Sequence, residues 1–261
     1  MGALDVSPLV AGPPHFALLK PVELLRRLRD PAPPVAGLLL DVAGVLYDDT
    51  IWSRWLFKLL TRIGLHTNYI PFFRVWEREF GPRIKRGEFD YWQALGAFLR
   101  SAGLSKGQID EVEAAGHARQ REFETNLLPL PGVVHSLTRL QCMGIQLTIL
   151  SGGHLTAAQL ADRLSRLGLA RFVGTVLTEM ELNQARPNES CFDVAVAVSG
   201  LPREQLCYVG RSAPALAGAT VAGLRTVAVN YDEDAEADVF LGHFEQLLDS
   251  LPWETVGVKV G

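Results

Sequence analysis

"GLLLDVAGVLYDD", residues 37–49, decides how this chain is read. A run of aliphatic residues stops at Asp41, and Gly44 follows three residues later. An ionisable side chain at the end of a buried strand is either a turn cap or a functional group. Which of these it is depends on what the other strands carry at their ends.

Working outward from Asp41, short apolar runs recur at 38–47, 145–151, 172–178, 205–212 and 225–230, with a weak one at 238–241. They are rich in β-branched or aliphatic residues and lack polar alternation, as expected of strands covered on both faces. Helix-period segments fall between them near 133–143, 155–167, 189–199, 213–222 and 243–250. The alternation predicts an α/β fold with a doubly wound, Rossmann-like parallel sheet. One interval breaks the rhythm. Between Asp49 and "LPLPGVV" at 128–134 lie roughly 80 residues without a strand, far more than the dozen or so a crossover needs. Most of the aromatic residues fall there, Trp52, Trp55, Trp76 and Trp92 among them. The expectation is a helical cap inserted over 50–128, the aromatics forming its own core. The α/β core then comprises 37–49 and 129–252, with a Pro-rich arm at 1–36, one candidate helix at 21–29, and a tail at 253–261.

Four segments following the strands carry polar residues where a ligand would bind: Asp41, Ser151 in "TILSGG", Arg186 in "NQARPNESCFD", and Arg211 in "YVGRSAPALAGA". Each alone has an ordinary explanation as a cap or a solvated charge. In this order and spacing, the chain resembles the haloacid dehalogenase (HAD) superfamily, in the branch with a helical cap after the first strand. The family's first motif, Asp-x-Asp-Gly, is matched by Asp41 and Gly44, and its strand-ending Ser or Thr by Ser151. Its Lys-Pro is matched in position by Arg186–Pro187, and its Gly-Asp-Ser by Gly210 and Ser212 around Arg211. The departures are Ala43 for the acid/base Asp, Arg186 for the Lys, Arg211 for the fourth motif's first acid and Ala215 for its second.

The resemblance implies an Asp nucleophile at Asp41, a phosphoryl-enzyme intermediate and a carboxylate-held Mg²⁺. The departures count against that chemistry. General acid/base catalysis is typically worth about 10²–10⁴-fold, and Ala43 removes it. A guanidinium at position 211 opposes a cation, so no cofactor is expected although the family implies Mg²⁺. Pairing of Arg211 with Asp41 is a further expectation. The leading reading is a pseudoenzyme with a metal-free anion pocket of Gly44, Ser151, Gly152, Arg186, Arg211 and nearby backbone amides. Its partner would be a phosphorylated or other small anionic molecule, or another protein. The alternative is a metal-independent hydrolase, similar to the haloacid dehalogenases proper, using Asp41 as covalent nucleophile. His154 is read as a helix-start residue rather than a replacement base, and Asp48 and Asp49 as hinge or cap residues.

The composition narrows the field. Of 261 residues, 48% are hydrophobic and 21% charged, with a net charge of -4, which gives no electrostatic footprint for nucleic acid. No run of about 18 apolar residues predicts a membrane span. Cys142, Cys191 and Cys207 lack metal-ligand spacing, and no basic stretch leads into an apolar one near the start. A cytoplasmic protein is the expectation.

Overall fold

The computed structural model describes residues 33–153, 155–182 and 189–253. The candidate helix at 21–29, His154, Arg186–Pro187 and nearly all of the C-terminal tail lie outside them.

Six strands form one sheet: β1 (Gly37–Leu40), β2 (Gln146–Ser151), β3 (Thr175–Thr178), β4 (Leu206–Gly210), β5 (Arg225–Val229) and β6 (Val239–Leu241). Their order is β3-β2-β1-β4-β5-β6, and every pairing is parallel. The uninterrupted apolar runs are explained by burial on both sides. Leu38, Leu40, Leu147, Ile149, Cys207, Val209, Val227 and Val229 enter one core cluster. Their alternates Leu39, Leu150, Leu206, Tyr208 and Ala228 enter another on the opposite face. Helices α6 (Val133–Cys142) and α7 (Ala157–Arg166) cover the first face through Val133, Leu137, Leu140, Leu160 and Leu164. On the second, α8 (Glu189–Ser199) and α9 (Ala213–Val221) bring Phe192, Ala195, Ala215, Leu216 and Ala219.

The first strand is shorter than its apolar run. It stops at Leu40, because the Val42 carbonyl accepts from the amides of Val45 (3.3 Å), Leu46 (2.8 Å) and Tyr47 (3.4 Å) and winds the chain into a single turn. Gly44, at φ +71°, makes that turn possible, a conformation a side chain would strain. The chain then doubles back: Gly44 N donates to Tyr47 O at 2.8 Å, and Tyr47 bridges Pro129 on the returning segment. Apolar character in 42–47 therefore reflects packing of a turn, not continuation of a strand.

Between Asp49 and Leu127 run five helices: α1 (Thr50–Arg62), α2 (Tyr69–Glu79), α3 (Gly81–Lys85), α4 (Tyr91–Ser101) and α5 (Lys106–Asn126). Asp90 with Gln93 and Ser105 with Gln108 form capping boxes that start α4 and α5. Leu56, Leu60, Phe72, Leu95, Phe98, Leu99, Ile109 and Val112 bury a separate core. Aromatic rings wrap it, with Phe72 and Phe98 4.7 Å apart and Trp76 stacked on Phe80 at 5.6 Å. Burial pushes the Tyr91 phenol up to about 12, although the Trp52 indole N–H, 2.7 Å away, lowers it. Gly116 admits α4 to α5: a Cβ there would lie 2.5 Å from the Trp92 ring. Among the described residues, no helix is long and apolar enough to cross a membrane.

Candidate functional site at the strand ends

The sheet order places the end of β1 between those of β2 and β4, so Asp41 lies between Ser151 and Arg211 in the sheet order. Asp41 extends the ladder by donating its amide to Val209 O at 2.9 Å. Its side chain is 8% exposed; Oδ1 accepts from the Val42 amide at 2.8 Å, and Oδ2 from the Tyr208 hydroxyl at 3.4 Å. The carboxylate is thus held at the sheet edge rather than turned into water.

Tyr208 is absent from the residues the sequence singles out, yet it is fully buried and reaches Asp41 from within β4. The room comes from Gly210, two residues on and on the same face, whose added Cβ would lie 2.7 Å from the phenol oxygen. Phe192 meets the ring edge-on at 5.3 Å. The only sequence signal was the Tyr-x-Gly spacing at a strand end, which is too common to stand out.

Arg211 does not pair with Asp41 as the sequence suggested. Its aliphatic stem and Nη1 cross the bare face of Gly44, where a Cβ would lie 2.7 Å from Cδ and 2.8 Å from Nη1. That path carries the guanidinium to Asp49 Oδ1 at 3.3 Å and Asp232 Oδ1 at 3.8 Å. Asn230, in the left-handed region at φ 48°, ties the same corner by donating to Gly44 O at 3.0 Å. Asp49 is pushed up from the ordinary carboxylate range by burial, despite Arg211, with Asp48 and Asp41 adding like-charge repulsion. Asp48 accepts from the Thr50 amide at 2.9 Å and hydroxyl at 2.6 Å, steadying the entry to α1.

Ser151, 4% exposed, ends β2 and donates to Gly152 O at 3.0 Å, leaving its lone pairs available. The Gly44 amide is engaged by Tyr47, so Gly44 contributes shape rather than an anion donor. Ala43 puts a methyl group where the resemblance places the acid/base carboxyl. Ala215 is 2% exposed and packs among Phe192, Tyr208 and Leu216, so its position is core. Arg186 lies outside the described residues.

These residues do not fit Mg²⁺, which requires hard oxygen ligands. At the β4 end a fixed cation stands over Gly44, already balanced by Asp49 and Asp232. Among the described residues, no three His, Cys, Asp or Glu side chains group as a metal site would require.

Residues 35–223 match the family model described as haloacid dehalogenase-like hydrolase. The chain is 33% identical over 200 residues to a glyceraldehyde 3-phosphate phosphatase of Methanopyrus kandleri, covering 75% of this chain and 84% of that protein. A phosphatase of the same name from Methanocaldococcus jannaschii is 28% identical over 82% of this chain and 96% of its own. Among solved structures, a dehalogenase in an intermediate complex superposes with a TM-score of 0.62 at 20% identity, over 84% of this chain and 98% of that one. This last likeness concerns the fold alone. With the sheet order, the cap helices after β1 and Asp41 at the first strand end already in place, the match makes this chain a member of the haloacid dehalogenase-like hydrolase family.

Proposed function

We propose that this chain keeps the hydrolase fold as a binding module: a pseudoenzyme whose strand ends hold a small phosphorylated or otherwise anionic molecule without metal. One observation carries the reading. The Arg211 guanidinium lies across Gly44 at the β4 end, 32% exposed, with Asp49 3.3 Å away. A group that is always cationic at that place attracts an anion and repels Mg²⁺. The Gly152 amide, which donates no hydrogen bond among the described residues, is a second donor, and the Ser151 hydroxyl joins it by turning its proton from Gly152 O to the anion. Arg186 is assigned to the pocket on sequence position alone. Without an acid/base group at Ala43, leaving-group protonation lacks its usual donor, a loss of about 3–5 kcal/mol in barrier.

The metal-independent hydrolase is the second reading. It is favoured by Asp49, a carboxyl whose pKa is raised by burial and, to a smaller extent, by the charge of Asp41. Release of phosphate and halide from panels of phosphomonoesters and 2-haloacids, with and without Mg²⁺, separates the two. The expected outcome is no release above that of Asp41→Asn, together with calorimetric binding of inorganic phosphate in EDTA. Turnover that vanishes in Asp41→Asn overturns the pseudoenzyme reading, and its metal dependence identifies the surviving chemistry.

A further inference from the structure

The densest charge network among the described residues lies at the hinge, away from Arg211. The chain leaves the core through Tyr47–Asp49 and returns through Leu127–Leu130, the two passes being bridged at Tyr47 and Pro129 and by Leu130 N to Leu46 O at 2.9 Å. Arg163, on α7 of the core, faces both passes. Its Nη1 donates to the Tyr47 hydroxyl at 3.0 Å, and its Nε and Nη2 both bond the carboxylate of Glu124, the former at 3.1 Å. Glu124 lies in the final turn of α5, just before the return. Arg166 supports the same carboxylate at 3.1 Å and is itself paired with Asp162. The Arg163 and Glu124 side chains are 14% and 23% exposed, and Tyr47 is 3% exposed. Bidentate, shielded pairs of this kind are the strong ones and hold a single geometry.

We propose that Arg163 is a hinge clasp, gripping the outgoing pass at Tyr47 and the returning pass at Glu124, so that the helical insertion is a fixed wall above the strand ends rather than a swinging lid. Swinging the insertion would separate Glu124 from α7 and leave shielded charges without partners, at a cost that thermal motion rarely meets. The clasp also reaches the pocket corner. Tyr47 O holds the Gly44 amide, and Gly44 is the surface on which Arg211 lies. This inference is independent of what the pocket binds.

Spin labels on the exposed native Cys142 of α6 and on a Lys58→Cys substitution in α1 report the insertion-to-core distance in the full chain. Cys191 and Cys207 are buried and do not take up label. A single narrow distance distribution is expected, unchanged by 10 mM inorganic phosphate. Arg163→Met, which keeps the apolar stem, is expected to broaden it and to speed amide exchange at 43–47 and 127–130 at least tenfold, while β4 and β5 stay protected. Glu124→Gln, which leaves the Tyr47 contact, is expected to fall between the two and carries the test if Arg163→Met fails to fold. A broad wild-type distribution, or variants indistinguishable from wild type in both readouts, would overturn the clasp.

Discussion

Arg163 and Arg211 make an instructive pair. Each projects from the core and touches the segment where the insertion begins, Arg163 at Tyr47 and Arg211 at Asp49, and each is paired with carboxylate. Arg163 is 14% exposed and closes a two-pronged contact with Glu124 while donating to Tyr47 at 3.0 Å. Arg211 is 32% exposed and meets two separate carboxylates, Asp49 at 3.3 Å and Asp232 at 3.8 Å, neither at ideal range. The first guanidinium has its donors matched to the fold; the second is more exposed and held by longer contacts, which is why the proposed anion site centres on it. On the proposed reading the contrast separates a structural cation from a binding one, which sequence position does not, since both are ordinary arginines in the chain.

The sharpest way to break the comparison is to remove each cation in turn. Arg163→Met should lower unfolding free energy by about 2–3 kcal/mol, at the low end for a broken shielded pair because Arg166 still supports Glu124. Denaturant titration measures it, and a loss below that of Arg211→Met would erase the distinction. Arg211→Met should change stability by less than about 1 kcal/mol. It should weaken inorganic phosphate binding about tenfold in calorimetry, the worth of roughly one charge-assisted hydrogen bond.

Gly44→Ala tests the ground beneath Arg211. It imposes a Cβ on a backbone at φ +71° and on the Arg211 stem, so a loss of about 1 kcal/mol and weaker phosphate binding are expected together. The smallest effect has the opposite sign. The Asp49 carboxyl is raised above its unfolded value, so the folded chain holds its proton more tightly than the unfolded chain does. That contribution is present at acid pH and lost as pH rises through the raised value. Asp49→Asn, neutral throughout, should therefore match wild type only at pH values below the ordinary carboxylate range and exceed it slightly at pH 7, by less than about 1 kcal/mol. Melting temperatures across that range check the sign.

How much of this was legible follows from the reach of each interaction. Strands buried on both faces announce themselves as apolar runs, so the α/β class and all six strand positions could be read from the chain. So could Asp41 and Ser151, because a polar residue that ends such a run is a local event. The apolar run at 38–47 outlasts β1 because a turn packed in the core is as apolar as a strand, and only Asp41 and Gly44 mark the difference. Arg211 was located but not its direction, which depends on Gly44 leaving a bare face and on Asp232 arriving from beyond β5. Tyr208 was missed because its approach to Asp41 is a matter of register between neighbouring strands. The Arg163 clasp joins residues distant in sequence, and no local pattern carries that information.

The sheet order also has a consequence for how the chain is made. β1 is central, and its partners are β2 and β4, which follow it by about 110 and about 170 residues. During synthesis the strand carrying Asp41 therefore emerges long before either neighbour exists, while the insertion behind it already has its own aromatic core and mostly local contacts. The insertion is placed to fold first on the ribosome, with an apolar strand tethered in front of it that must stay unpaired until the second half of the chain arrives. Aggregation during translation, more than loss of the finished fold, is the hazard this topology carries.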